Sequence, residues 1–232
     1  EIKVSPRPEF WIFRPQDEVR VVEYEQYLKL TELFGVQGVG LTTARDSLVT
    51  DFDSDALMKR IVSVQNFDGT DAQMCHTFDI SQKLTWNIPR SRTLLKSERN
   101  LKSFIVPVAY RPFDNRYLFF HDSLVGRTRK QLMNQMLRGK NLALVSARSN
   151  KSSEMDHFYC TRFVMETKCG EATTQSALFP LYRFEDGLAL HTGPQSNLSD
   201  TIVSQWRDRL GHGKTSEAFP EDIFNYAYAV FH

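Results

Sequence analysis

The sequence predicts an α+β fold, with a mixed β-sheet, packed helices and a C-terminal helical extension. Strand-like and helical segments are interleaved up to about residue 186, and only helical segments follow Gly187. Gly, Pro, Asn and Asp residues separate these segments, as is typical of turns. A hydrophobic fraction of 41% and a charged fraction of 25% are ordinary for a folded globular chain.

The first segments are short and weakly patterned. Residues 9–14 alternate polar and aromatic side chains, which predicts a strand, and residues 15–17 then have the composition of a turn. Residues 24–34 have a weak helical pattern that ends at Gly35.

Two helical segments follow, separated by a polar, turn-rich stretch at residues 66–72. Asp53 or Ser54 is expected to cap the first helix, which extends to about residue 64. One face of that helix is apolar and consists of Ala56, Leu57, Ile61 and Val64. Residues 92–102 predict a second helix with a basic exposed face.

The central part of the chain predicts strands on either side of a helix. Residues 104–109 and 116–120 are two strand candidates. Residues 127–138 form the clearest helix, and Gly139 suits a left-handed C-cap. Its apolar stripe consists of Leu132, Met133, Met136 and Leu137. Residues 141–147 predict the following strand.

The C-terminal part contains one more strand and two helices. Residues 179–184 predict the strand, and residues 199–210 predict a helix capped by Ser199. Pro220 suits the first helical position of a final helix.

A strongly basic segment underlies the formal net charge of +1. Residues 90–151 contain fourteen Lys and Arg residues and three acidic residues, a formal charge of +11, whereas the rest of the chain carries fifteen basic and twenty-five acidic residues, or −10. A basic segment attracts phosphate groups, so the charge pattern favours a nucleic-acid partner. The alternative is that these cations are spread over a solvated surface.

Other classes of protein are disfavoured. The apolar runs are too short for a membrane span, which takes about 20 residues, so no membrane association is expected. Three cysteines, Cys75, Cys160 and Cys169, cannot all pair within one chain, so we expect a reducing, cytoplasmic location. The chain starts without Met and ends within a helical segment, which predicts a piece of a larger protein.

Two patterns in the sequence raise metal-dependent alternatives. The spacing of His157, Cys160 and Cys169 matches no common structural zinc site, so no metal site is predicted. Asp156 with Glu166 and Lys168 resembles the two acids and lysine of metal-dependent nucleases, in which two carboxylates hold Mg²⁺ and the lysine orients water. This short pattern remains the leading enzymatic alternative.

Eight segments of the chain resemble the C-terminal specificity region of Type ISP restriction-modification enzymes and their adenine-N6 DNA methyltransferase relatives. The most distinctive is Tyr-Arg-Pro-Phe-Asp-Asn-Arg-Tyr at residues 110–117. The others lie in the same order along about 200 residues, at residues 33–34, 40–46, 51–53, 127–129, 141–148, 179–182 and 220–230.

This resemblance implies sequence-specific recognition of double-stranded DNA within a larger enzyme of phage defence. It implies a lead-in from an upstream methyltransferase domain of the same polypeptide at residues 1–40, a target recognition core at residues 41–186 and the helical part at residues 187–232. The methyltransferase's glycine motif for S-adenosylmethionine and its Asn/Asp-Pro-Pro-aromatic motif are missing from the sequence. We therefore expect no cofactor in this chain, no catalytic residues, and S-adenosylmethionine in the parent enzyme.

The resemblance and the basic segment point to the same candidate DNA contacts. Arginine suits this task because its planar guanidinium pairs bidentately with phosphate or with a guanine edge. The candidates are Arg127, Arg129, Lys130, Arg148 and Lys151, followed by Arg90, Arg92 and Arg116.

For other residues of the motif, structural roles are favoured. Arg111 and Asp114 are expected to pair across the turn between two strands, with Tyr110 and Phe113 packed into the core. Arg45 and Asp46 form a possible second internal pair. A module that binds only protein remains the last alternative, and it predicts weak DNA binding without salt dependence.

Overall fold

A computed structural model describes residues 18–80, 86–149, 158–184, 193–210 and 219–231. The described helices are α1 Glu18–Glu25, α2 Leu30–Leu33, α3 Asp46–Val49, α4 Ser54–Gln65, α5 Asp71–Thr77, α6 Ile88–Ser97, α7 Lys130–Leu137, α8 Asp200–Leu210 and α9 Phe219–Phe231, with a 3-10 turn at Leu101–Phe104. The strands are β1 Gly38–Val39, β2 Thr50–Asp51, β3 Ile105–Arg111, β4 Asp114–Phe119, β5 Ala143–Ala147, β6 Phe158–Thr161, β7 Val164–Met165, β8 Ser176–Pro180, β9 Tyr182–Arg183 and β10 Gln195–Ser196. The α+β class with a C-terminal helical part is confirmed.

The strands form two four-stranded sheets and a small pair. The first sheet has the order β2-β4-β3-β7, in which β3 and β7 are parallel and the other neighbours antiparallel. The second sheet is antiparallel with the order β1-β8-β5-β6, and β9 pairs with β10. The first sheet is therefore mixed, as predicted.

The second sheet lies between two hydrophobic clusters. Along β5, Ala143 and Val145 belong to the larger cluster, which covers the first sheet and α4 to α7, whereas Leu144 belongs to a smaller one. This alternation follows from the period of two in a strand. The smaller cluster includes Phe34 near the start of the described chain and Phe224 of α9.

The sequence predicts helices best where capping and apolar spacing agree. The helix expected over residues 54–64 is α4, and Asp53 Oδ1 accepts hydrogen bonds from the backbone N–H groups of Asp55 at 2.7 Å and Ala56 at 3.0 Å. The final helix, predicted to start at Pro220, is α9. Helix α5 was missed, although Thr70 and Gln73 form a capping box that signals it.

Element boundaries differ where long-range contacts compete with local pattern. Helix α7 starts at Lys130 rather than at residue 127, because the backbone of Arg127 pairs with Thr42 and Arg129 has a left-handed φ of 51°. The predicted helix at residues 92–102 lies instead at Ile88–Ser97, where Asn87 caps its start. The predicted strand at residues 9–14 and the boundary at Gly187 lie outside the described residues.

Candidate nucleic-acid interface

Two of the predicted DNA contacts, Arg90 and Arg127, line one groove of about 350 Å³. One wall is the start of α6, and the other is the segment of residues 122–127 that precedes α7. Both arginines are exposed, and no described residue forms an ion pair with either side chain. We call this feature the basic groove. It brings together two cations that are distant in the sequence.

Local backbone contacts hold both arginines at the groove. Asn87 Oδ1 accepts from the Arg90 N–H at 3.0 Å, which caps the N-terminus of α6. Arg127 and Thr42 exchange two backbone hydrogen bonds, each 2.9 Å long. Asn87, with Pro89 two residues later, is a helix-start signal in the sequence. The pairing of Arg127 with Thr42 has no comparable local signal.

Trp86 connects the two walls of the basic groove. Its indole Nε1 donates to Ser91 Oγ at 2.8 Å and to the Ser123 carbonyl at 3.1 Å. The Arg45 guanidinium stacks over the indole ring at 4.0 Å and donates to the Leu124 carbonyl at 2.8 Å. Burial lowers the pKa of Arg45 to about 10, so this third cation stays charged at neutral pH.

The remaining candidates near α7 differ in availability. Lys130 forms an ion pair with Asp122, and Thr128 Oγ1 donates to the same carboxylate at 2.8 Å. Burial raises the pKa of Asp122, but the hydrogen bonds from Lys130 and Thr128 and the charge of Lys130 lower it by more, so the pKa lies below its usual value. Arg129 is exposed, and no described residue forms an ion pair with it.

Arg148 lies apart from α7, just after the end of β5. The Arg148 backbone N–H donates to the Gln175 carbonyl at 2.9 Å, and its guanidinium donates to Gln175 Oε1 at 3.1 Å. Lys151 lies outside the described residues. The structure does not place Arg148 on the walls of the basic groove.

Arg92 and Arg116 make internal contacts. Arg92 pairs with Asp71 at 2.6 Å and donates to the Phe67 carbonyl at 2.8 Å, which ties α6 to the start of α5. Arg116 donates from Nε at 2.9 Å and from Nη2 at 2.7 Å to the two oxygens of Asp114. Each therefore has a structural role, and DNA contact by either stays a prediction.

A polar cavity of about 410 Å³ adjoins the basic groove, because Ala44 and Arg45 line both. Its wall also includes Arg111 and the exposed Lys168, together with the acidic side chains of Asp46, Asp79 and Glu166. The cavity is thus lined by both donors and acceptors, whereas three cations and one acidic residue line the basic groove. The sequence did not single out Asp79 for this site.

The ion pairs predicted near this cavity are formed with other partners. Arg111 pairs with Glu166 at 2.7 Å rather than with Asp114. Asp46 accepts from the Tyr110 hydroxyl at 2.6 Å and from Thr43, rather than pairing with Arg45. In each case a residue from a distant segment supplies a partner, Glu166 for Arg111 and Tyr110 for Asp46.

Tyr110 is buried as predicted, whereas Phe113 is 96% exposed and its predicted place in the core is wrong. Phe113 is the second residue of a two-residue hairpin turn and has a left-handed φ of 58°. Its side chain consequently leaves the sheet at the tip of the hairpin.

Two of the three residues of the nuclease alternative are described, and both Glu166 and Lys168 line the polar cavity. Glu166 is occupied by Arg111 and by the Lys168 N–H, which donates at 2.7 Å. Burial raises the pKa of Glu166, and these two donors oppose it. Asp156 lies outside the described residues, and those described contain no group of three or more potential metal-binding side chains.

The two described candidate zinc ligands differ in their exposure to solvent. Cys160 is exposed on β6, whereas Cys169 is buried, and burial raises the pKa of its thiol to about 12. His157 lies outside the described residues. In the described ranges no helix is both long and apolar enough to traverse a bilayer.

Comparison with known proteins identifies relatives of this arrangement. A family model described as the Type ISP C-terminal specificity domain matches residues 32–232. A search of curated proteins finds no match.

Several solved structures share the fold, and the following three are among them. A cryoEM structure of a DrdV–DNA complex matches with a TM-score of 0.66 and 19% identity, over 99% of this chain and 23% of that one. The ATP-dependent Type ISP restriction-modification enzyme LlaBIII bound to DNA matches with a TM-score of 0.65 and 18% identity, over 99% and 15%. A nuclease-deletion mutant of the Type ISP enzyme LlaGI, in complex with a DNA substrate mimic, matches with a TM-score of 0.52 and 18% identity, over 88% and 17%. This chain spans less than a quarter of the length of each.

Proposed function

Because the chain belongs to the family of Type ISP C-terminal specificity domains, we propose that it recognises a specific sequence in duplex DNA on behalf of a larger restriction-modification enzyme. The observation that carries the proposal is the basic groove, in which Arg90 and Arg127 face solvent without a described ionic partner. The three structural neighbours are complexes with DNA or with a DNA substrate mimic, which supports the same partner for this chain.

The groove and the cavity beside it suit two different parts of DNA. Phosphate contacts position a protein on the duplex, and each available cation that neutralises a phosphate releases a counterion from the DNA. Base edges present mixed donors and acceptors, which complement a mixed polar surface. We assign phosphate binding to the basic groove, and base-edge contacts to the cavity around Lys168 and Asp79.

The catalytic steps belong to other parts of the parent enzyme in this proposal. The glycine motif for S-adenosylmethionine and the Asn/Asp-Pro-Pro-aromatic motif are missing from the sequence, which supports a non-catalytic role for this chain. The upstream methyltransferase domain would hold S-adenosylmethionine and modify adenine. Isothermal titration of this chain with S-adenosylmethionine is expected to give no binding heat, and saturable heat would contradict this assignment.

The decisive experiment is selection from a pool of random duplex DNA at two salt concentrations, followed by sequencing. Enrichment of one short motif, weakened at high salt, is the expected result. The double variant Arg90→Glu/Arg127→Glu should bind the enriched duplex at least about tenfold more weakly. Lys59→Glu/Arg209→Glu changes the net charge equally, on exposed positions outside the groove, and should retain most of the affinity.

The same experiment tests the alternative that the chain binds only protein. No retention of DNA at either salt concentration would refute the proposal and favour that alternative. Equal affinity of the two double variants would refute the assignment of the basic groove.

A further inference from the structure

The turn between β3 and β4 holds an aromatic residue where sequence statistics favour glycine. Pro112 and Phe113 are its two residues, and the φ of 58° at Phe113 lies in the left-handed region. The ring is 96% exposed and touches only the edge of Tyr159 among the described aromatic rings, at a centroid distance of 5.9 Å. Neither packing nor backbone preference accounts for a phenylalanine here.

The hairpin below Phe113 is firmly held. The guanidinium groups of Arg111 and Arg116 both stack on the Tyr110 ring, at 4.1 Å and 4.0 Å from its centroid. Those two cations are in turn paired with Glu166 and Asp114. The exposed ring therefore projects from a fixed support, which lowers the entropy lost when it binds a partner.

Phe113 also adjoins the surface that we assign to DNA. Arg111, two residues away, lines the polar cavity, and that cavity shares Ala44 and Arg45 with the basic groove. The hairpin that carries Phe113 at its tip thus contributes Arg111 to a cavity that adjoins the basic groove.

We propose that Phe113 stacks on a nucleobase at a step where the bound duplex is opened, which rests on the proposed function. The phenylalanine ring has no charge and no hydrogen-bond donor with which to bind phosphate, whereas every base presents an aromatic face on which the ring can stack. Apolar wedges of this kind act where a duplex is unstacked, and the cost of unstacking falls where a base has already left the helix.

The test compares intact duplexes with duplexes in which one abasic position is moved through the selected sequence. At one position, the abasic duplex should bind the chain about tenfold more tightly than the intact one, because unstacking no longer opposes insertion. Phe113→Ala should lose this preference. Phe113→Trp should keep it, and its tryptophan fluorescence should be quenched on binding by more than that of the unmodified chain, whose Trp86 lines the basic groove.

Controls separate this inference from the proposed function. Tyr226→Ala removes a 60% exposed aromatic ring from α9 and should bind both duplexes as the unmodified chain does. Phe113→Gly relieves the left-handed φ and should unfold at no lower temperature than the unmodified chain. A loss of binding in this variant would therefore not be caused by a loss of folding. If Phe113→Ala binds every duplex like the unmodified chain, the inference is refuted. If the unmodified chain binds no DNA, the proposed function fails as well.

Discussion

The Arg111 guanidinium donates at 2.7 Å to the carboxylate of Glu166, a side chain that is 6% exposed and lies 55 residues later in the chain. Glu166 directly follows β7, so the ion pair joins the β3–β4 hairpin to its parallel neighbour. The same pair forms one wall of the polar cavity and supports Tyr110 and the exposed Phe113. It connects the stability of the first sheet with the proposed DNA-binding surface.

Removal of this arginine should destabilise the fold. Arg111→Ala leaves the buried Glu166 carboxylate without its cation, and we expect the free energy of unfolding to fall by about 2 kcal/mol. Urea unfolding measures this change. Lys168→Ala is the matched control, because its side chain is exposed and its backbone N–H remains. Glu166→Gln in the Arg111→Ala background should recover part of the loss, and no recovery would contradict the assigned pair.

Stability at acidic pH should depend on Asp114. Hydrogen bonding and charge from Arg116 lower the pKa of Asp114 below its usual 3.8, despite partial burial. The ionised form is favoured in the folded state, so its contribution is complete above the unfolded pKa and is lost as pH falls through the folded pKa. Asp114→Asn should therefore be destabilising at about pH 6 and less so at about pH 2.5. Urea unfolding at both pH values tests this, and a constant difference would argue against the assignment.

The salt dependence of DNA binding should separate free cations from paired ones. Arg127→Ala should weaken binding and reduce the slope of log K against log salt concentration by about 1, because one phosphate contact is lost. Arg92→Ala should instead mainly lower stability, since Arg92 holds Asp71 and the Phe67 carbonyl. A slope change for Arg92→Ala, at unchanged stability, would make Arg92 a DNA contact.

Close packing at Gly40 should make this position intolerant of a side chain. A Cβ at Gly40 would lie 2.6 Å from the Met165 carbonyl oxygen and 2.9 Å from the Glu166 carbonyl carbon. Gly40→Ala should therefore lower the free energy of unfolding by about 2–3 kcal/mol, because backbone atoms must separate. Gly193→Ala meets no atom within 4 Å and should leave the unfolding midpoint nearly unchanged.

The three thiols should react at different rates. Cys160 is exposed, whereas Cys75 and Cys169 are buried, and burial raises the pKa of Cys169 to about 12. A thiol reagent should modify Cys160 rapidly in the native chain and the other two only after denaturation. Cys160→Ser should abolish the rapid phase, and rapid reaction of that variant would contradict the burial of the remaining thiols.

Local sequence was sufficient where one segment contains all the relevant determinants. Helix α4 has its cap at Asp53 and its apolar face within twelve residues, so its position was predicted closely. Helix α7 was predicted three residues too long at its start, because the Arg127 backbone pairs with Thr42, 85 positions earlier in the numbering. The sequence places Phe113 in the core, whereas the structure holds it in a left-handed turn that directs its side chain outward.

The sequence by itself determined the α+β class, the basic segment and the resemblance to Type ISP specificity regions, because composition, periodicity and motif order are local or additive properties. Only the tertiary structure decided which cations are available to a ligand. Arg90 and Arg127 face a shared groove, whereas Arg92 and Arg116 are paired with Asp71 and Asp114. The physical reason is that hydrogen bonds form only over about 3 Å and salt screens charges beyond about 10 Å, so the availability of a charge depends on neighbours that folding supplies.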